Sequence, residues 1–202
     1  MARAFGAVAA FALALAGAAC SIAPVSGGVI ANYDFGPAPA ATPTQPLRQV
    51  LLVYDVVAPA WLDSSFIRYR LAYQDAARPQ AYADSRWVMS PAALLTGRLR
   101  GQLAASGGAG IVRPGDGARD QYALRVELDE FTQIFDAPGK SRAVVRVRAS
   151  MLGNRSLLAQ REFSVERHVE TPDAEGGVRA LIEASDEAIG QLVEWAVQQV
   201  KD

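Results

Sequence analysis

Residues 143–152, AVVRVRASML, and residues 157–169, LLAQREFSVERHV, are separated by a connection that opens with Gly153-Asn154. In both runs apolar and charged side chains alternate with the period of two that places successive side chains on opposite faces of a strand. Gly-Asn supplies the left-handed backbone that a tight hairpin requires. The segment before them, residues 121–135, repeats the pattern: Leu124, Val126 and Leu128 face one way, Arg125, Glu127 and Asp129 the other. Together the three runs predict an antiparallel meander with one apolar and one polar face. Arg142, Arg146 and Arg148 stand against the acidic strand, where each cross-strand pair contributes a few tenths of a kcal/mol, roughly.

After the meander, Val178, Leu181, Ile182, Ser185, Ile189, Leu192, Val193, Ala196, Val197 and Val200 recur at helical spacing, behind a cap expected at Thr171-Pro172. That stripe is suited to packing on a sheet. Before the meander, Ser90-Pro91 reads as an N-cap followed by proline at the first helical position. Leu94, Leu95, Leu99 and Leu103 mark the buried side of that helix, and Gly107-Gly108 its end. Further upstream, Phe66–Tyr73 (FIRYRLAY) and Tyr82–Val88 predict a hairpin, and Val50–Val57 a nearly continuous apolar central strand. The order βββ-α-βββ-α predicts an α+β domain over residues 49–202, with a mostly antiparallel sheet and two helices packed on one face.

The N-terminus is built differently. Residues 1–19, MARAFGAVAAFALALAGAA, have one basic residue, Arg3, and an apolar stretch too short to span a bilayer, followed by small residues. They read as a signal peptide. The sole cysteine, Cys20, follows at once, and Leu15-Ala16-Gly17-Ala18-Ala19-Cys20 is similar to a bacterial lipobox, with Gly17 where leucine is usual. An ordinary secretory signal would leave Cys20 as a free thiol in an oxidising compartment; acylation would remove it. Three acyl chains hold far more firmly than one, since each buried methylene contributes roughly 0.8 kcal/mol. Ser21, rather than Asp, points to the outer membrane. Residues 20–48 carry prolines at 37, 39, 43 and 46 and read as an extended tether.

Composition excludes several functions. The 202 residues are 50% hydrophobic and 20% charged, with mean hydropathy +0.08, so the chain can bury one sizeable core. A net charge of −1 gives no general case for binding nucleic acid. One Cys and one His make neither an internal disulfide nor a Cys/His zinc cage. His168, the only imidazole, lies in a strand; no nucleophile elbow, Walker loop or dinucleotide fingerprint follows a strand, and Glu127 with Asp129-Glu130 reads as a solvated sheet face. No catalytic residue, metal or cofactor is expected. Trp61 and Trp87, with Tyr54, Tyr69, Tyr73 and Tyr82, either fill a core edge or mark a docking surface.

Tyr33-Asp34-Phe35-Gly36-Pro37, just after the tether begins, is similar to the Tyr-Asp-Leu-Gly-Pro segment of the ABC-type transport auxiliary lipoproteins, the PqiC/YmbA-like proteins. The resemblance continues through Val56–Asp63 (VVAPAWLD), Tyr69-Arg70-Leu71, Tyr82–Trp87 (YADSRW) and Pro91. It implies a non-enzymatic lipoprotein on the periplasmic face of the outer membrane. Its implied partners are an MCE-domain protein and an ABC permease/ATPase complex that move lipid between membranes, and it leaves a homo-oligomer as a possible assembly. It also implies lipidation, by palmitate or similar chains, at Cys20, and partner contacts at Tyr33, Asp34, Phe35, Gly36 and Pro37; Trp61 and Trp87 join them as candidate contacts on the aromatic reading alone. The other classes open to the sequence are an envelope lipoprotein that binds or hydrolyses a small ligand, and one that scaffolds outer-membrane assembly machinery.

Overall fold

The structure, a computed structural model, describes residues 29–39, 45–116, 122–154 and 156–200. The elements in chain order are β1 (Ala31–Tyr33), β2 (Leu51–Val53), β3 (Phe66–Leu71), α1 (Ala72–Asp75), β4 (Pro79–Trp87) and α2 (Pro91–Ala105). They continue with β5 (Ile111–Val112), β6 (Tyr122–Ala137), β7 (Lys140–Gly153), β8 (Ser156–Val169) and α3 (Ala174–Gln199). The fold is α+β, and its mixed sheet is mostly antiparallel. The signal peptide, Cys20 and residues 21–28 and 40–44 of the expected tether lie outside the described residues.

The meander forms as its alternation dictates. β6 pairs with β7 and β7 with β8, so that Glu127 stands opposite Arg148 and Arg148 opposite Glu162. Arg148 bonds Asp129 at 2.8 Å, and Arg142 bridges Asp136 (3.1 Å) and Glu166 (3.0 Å) on the open face. The other face buries Leu124, Val126, Leu128, Val145, Val147, Met151, Phe163 and Val165 in one core with Leu181, Ile189 and Leu192 of α3. A register shift between Leu128 and Glu130 places one extra residue, Asp129, in β6, so inward facing resumes at Phe131.

The free edge of β6 carries two short branches end to end. β2, with β5 beyond it, runs parallel to residues 122–124; β3, with β4 and then β1 beyond it, runs parallel to residues 133–135. β3 and β4 form the expected antiparallel hairpin. The helix α2 opens as anticipated, with Ser90 Oγ accepting from the Ala93 N–H (3.4 Å), and it packs beside α3.

Four expectations are corrected. The apolar run 50–57 is not one continuous strand: the Tyr54 and Val57 N–H groups bond Leu124 and Val126 carbonyls, while Asp55 turns out to meet Arg100 at 2.8 Å. The strand begun at Phe66 stops at Leu71 and coils into α1. The cap of α3 is Asp173, whose Oδ1 accepts from the Gly176 N–H at 2.8 Å, rather than Thr171-Pro172. Finally, the stretch expected as tether through residue 48 is partly domain: β1 joins the sheet, and Phe35 and Leu47 are buried, because apolar side chains within it find a core.

The glycine pair that opens α3 serves close packing. A Cβ on Gly177 would stand 2.0 Å from Gln133 Oε1, and one on Gly176 2.1 Å from the Thr171 carbonyl. Gln133 is fully buried; it accepts from Tyr82 Oη (2.8 Å) and donates to Ser141 Oγ (2.9 Å).

Candidate functional site

Tyr33–Pro37 run off the end of β1 along the flank of α2. Tyr33 pairs in parallel with Trp87, and its carbonyl accepts from the Val88 N–H at 2.9 Å. Gly36 takes a positive φ of 59°, and its N–H donates to Asp34 Oδ1 at 2.7 Å, which closes a tight turn. The turn drives Phe35 inward, edge-on to Trp87 (centroids 5.7 Å) and stacked on Phe131 (6.2 Å). Each such aromatic pair contributes about 1 kcal/mol beyond the area it buries.

Arg98 fastens this segment from α2. Its guanidinium donates to the Phe35 carbonyl and to the Gly36 carbonyl (3.3 Å), while its Nε lies 3.1 Å from Asp186 Oδ1 on α3. The side chain is only 4% exposed, and a buried guanidinium requires such partners because its desolvation costs several kcal/mol, roughly. Burial pushes the Asp186 carboxyl above its ordinary range, and the Arg98 charge offsets part of that shift. One arginine thereby joins the N-terminal segment, α2 and α3.

Between that segment and the outer side of α2 lies a groove of about 370 Å³. Asp34, Phe35, Gly36 and Ala38 form one wall, Ala93, Gly97 and Gly101 the other, and Val88 and Met89 close an end. Val88 and Met89 are each half exposed (52% and 51%). Nothing lies within 4 Å of where a Cβ on Gly97 or Gly101 would stand. The internal packing of the domain therefore does not require these glycines, although each costs a helix about 1 kcal/mol relative to alanine. Ala93, Gly97, Gly101 and Ala105 fall every four residues and form one bare stripe. An apolar groove floored by small residues admits a chain at close approach.

The residues singled out from sequence are divided by the structure. Phe35 and Trp87 serve the core, so their side chains are not available to a partner in this conformation. Tyr33 is half-buried, Asp34 and Gly36 line the groove, and Pro37 is exposed beside it. Trp61 stands apart from the groove, with the Arg70 guanidinium 4.9 Å above its ring. His168 is exposed at the end of β8, beside a cavity of about 510 Å³ that Asp136, Lys140 and Glu166 also line. Among the described residues no three His, Cys, Asp or Glu side chains converge as metal ligands, and no helix is long and apolar enough to cross a membrane. Sequence reasoning missed Arg98, Val88, Met89 and the glycine stripe. The G-x-x-x-G spacing from Gly97 to Gly101, inside a helix already supplied with a leucine face, was the available signal.

Comparison with known proteins adds a family and a fold. The profile of the ABC-type transport auxiliary lipoprotein component matches residues 33–194. No functionally curated protein matches the sequence. A crystal structure from Xanthomonas campestris, of the DUF330 family, superposes with a TM-score of 0.73 at 20% identity over 85% of this chain and 95% of its own. A second, an uncharacterized protein, gives 0.62 at 15% identity over 83% and 98%. At these identities the two structures establish the fold alone.

Proposed function

The chain belongs to the family of ABC-type transport auxiliary lipoprotein components, and from that premise we propose that it is a non-catalytic protein anchored through acylated Cys20 to the periplasmic face of the outer membrane. There it serves an ABC/MCE-type system that moves lipid between the two membranes, and it holds an apolar segment of the MCE-domain partner in the groove between Asp34–Ala38 and α2. The observation that carries this reading is the bare stripe of Gly97 and Gly101, open to solvent beside half-exposed Val88 and Met89. Surfaces of that character are suited to close apolar contact with another chain. Asp34 and Gly36, two of the residues to which the family resemblance assigns partner contact, line the same groove.

The proposal is tested by mild crosslinking in the native cells, detergent solubilisation and identification of what copurifies with the tagged protein. An MCE-domain protein with its ABC permease is the expected result. Recovery of outer-membrane assembly proteins instead would move the protein to a scaffolding role on the same anchor, and Cys20→Ala should release it from the membrane fraction.

A further inference from the structure

We infer that one end of the domain rests on the membrane that carries the Cys20 acyl chains: the end formed by the β6–β7 turn, α1 and the turn from α1 into β4. The inference rests on the anchor reading above and adds an orientation to it.

Strand directions supply the first argument. β1 is parallel to β4, β4 antiparallel to β3, and β3 parallel to β6. Followed backward from Ala31, the chain therefore heads toward the C-terminal end of β6, where the β6–β7 turn lies. The registers Ala31↔Ser85, Phe66↔Arg86 and Tyr69↔Gln133 bring Val29 about level with Phe131. The turn is then about six residues further along, or ~20 Å at strand rise.

Chain length supplies the second. Nine residues lead from Cys20 to Val29, which span at most ~30 Å. Continued in its exit direction, the chain can place the acyl chains about 10 Å past the β6–β7 turn. The opposite end of the domain, at Gly153, lies ~30 Å the other way along β6. Serving that end would require the chain to reverse and would leave it no length to spare.

The exposed side chains suit the assignment. Tyr73, just beyond the Leu71↔Phe135 pair, is open to solvent at this end, and an aromatic ring with a hydroxyl sits well at headgroup depth. Arg78 and Lys140 are exposed there without an ion-pair partner among the described residues. Asp75 and Asp136 stand close by in sequence, so charge does not orient the domain; the tether does.

The test uses the full-length lipoprotein with one reporter cysteine, Lys140→Cys or Leu157→Cys, each carrying a donor dye. Both sites are exposed, and acylated Cys20 takes no dye. The protein is reconstituted into phosphatidylethanolamine/phosphatidylglycerol vesicles bearing an acceptor on the headgroups. Leu157 pairs with Leu152, so the two sites are ~40 Å apart along the sheet, and energy transfer from position 140 should exceed that from 157 at least about threefold. Equal transfer, or more from 157, in protein that floats with the vesicles overturns the orientation and leaves the anchor standing. Dye on the wild-type protein, or failure to float, overturns the anchor and the orientation with it.

Discussion

Glycine is used in opposite ways by the two long helices. At the start of α3, Gly176 and Gly177 are required from within: a methyl group on either would stand about 2 Å from a neighbouring oxygen, 2.1 Å from the Thr171 carbonyl and 2.0 Å from Gln133 Oε1. In α2, Gly97 and Gly101 meet nothing within 4 Å. The first pair lets a helix end sink onto the sheet, and the second leaves the outside of a helix bare. The C-terminal half of the molecule thus closes on itself, whereas the N-terminal half keeps an apolar groove that its own packing does not fill.

The substitution with the largest expected effect acts where the two halves join. Arg98→Ala removes the countercharge of Asp186 and the donors to the Phe35 and Gly36 carbonyls. The stability of the domain, read from urea unfolding, should fall by about 3 kcal/mol, and a loss below one would show that the N-terminal segment is held without it. Next comes Gly177→Ala. Gln133 could yield to the new methyl only by giving up Tyr82 or Ser141, so a cost of about 2 kcal/mol is expected.

The contrast is sharpest in the opposite sign for α2. Gly101→Ala should raise stability by up to about 1 kcal/mol, because the position has room and helical alanine is favoured. In the same cells it should reduce recovery of the transport partner. A destabilised Gly101→Ala protein would mean that the fold does need the glycine.

The smallest effect is a pH dependence. The Asp186 carboxyl is held above its ordinary range by burial. The folded protein therefore keeps that proton at a pH where the unfolded chain has lost it, and the contribution to stability is full in acid and declines as pH rises through the raised pKa. Asp186→Asn should flatten that part of the stability–pH curve; an unchanged slope would place the effect elsewhere.

Long alternating runs were legible in the sequence because burial on one face imposes the same period on every residue, so β6, β7 and β8 and their charge pairing followed directly. The Ser90-Pro91 start was legible for a local reason, the side-chain cap. β1 and β5, three and two residues long, carry no period at all, and their pairing depends on partners distant in the chain. Asp129 interrupts β6 through a bulge that no local preference announces. The groove was hidden for another reason: Ala93, Gly97 and Gly101 are small residues whose meaning depends on what surrounds them, and Arg98 looks like any surface arginine until Phe35 and Asp186 close around it. The Tyr33–Pro37 segment was visible as a family resemblance, but its inward-facing Phe35 emerges only from the fold.

The most direct test of the central claim is photocrosslinking in living cells from a single photoreactive residue, placed either at Met89 in the groove or at Glu162 on the open sheet face. Adducts with an MCE-domain protein from position 89 and none from 162 are the predicted result. Adducts from 162 alone, or equally from both, would contradict it and move the partner to the charged face of the meander.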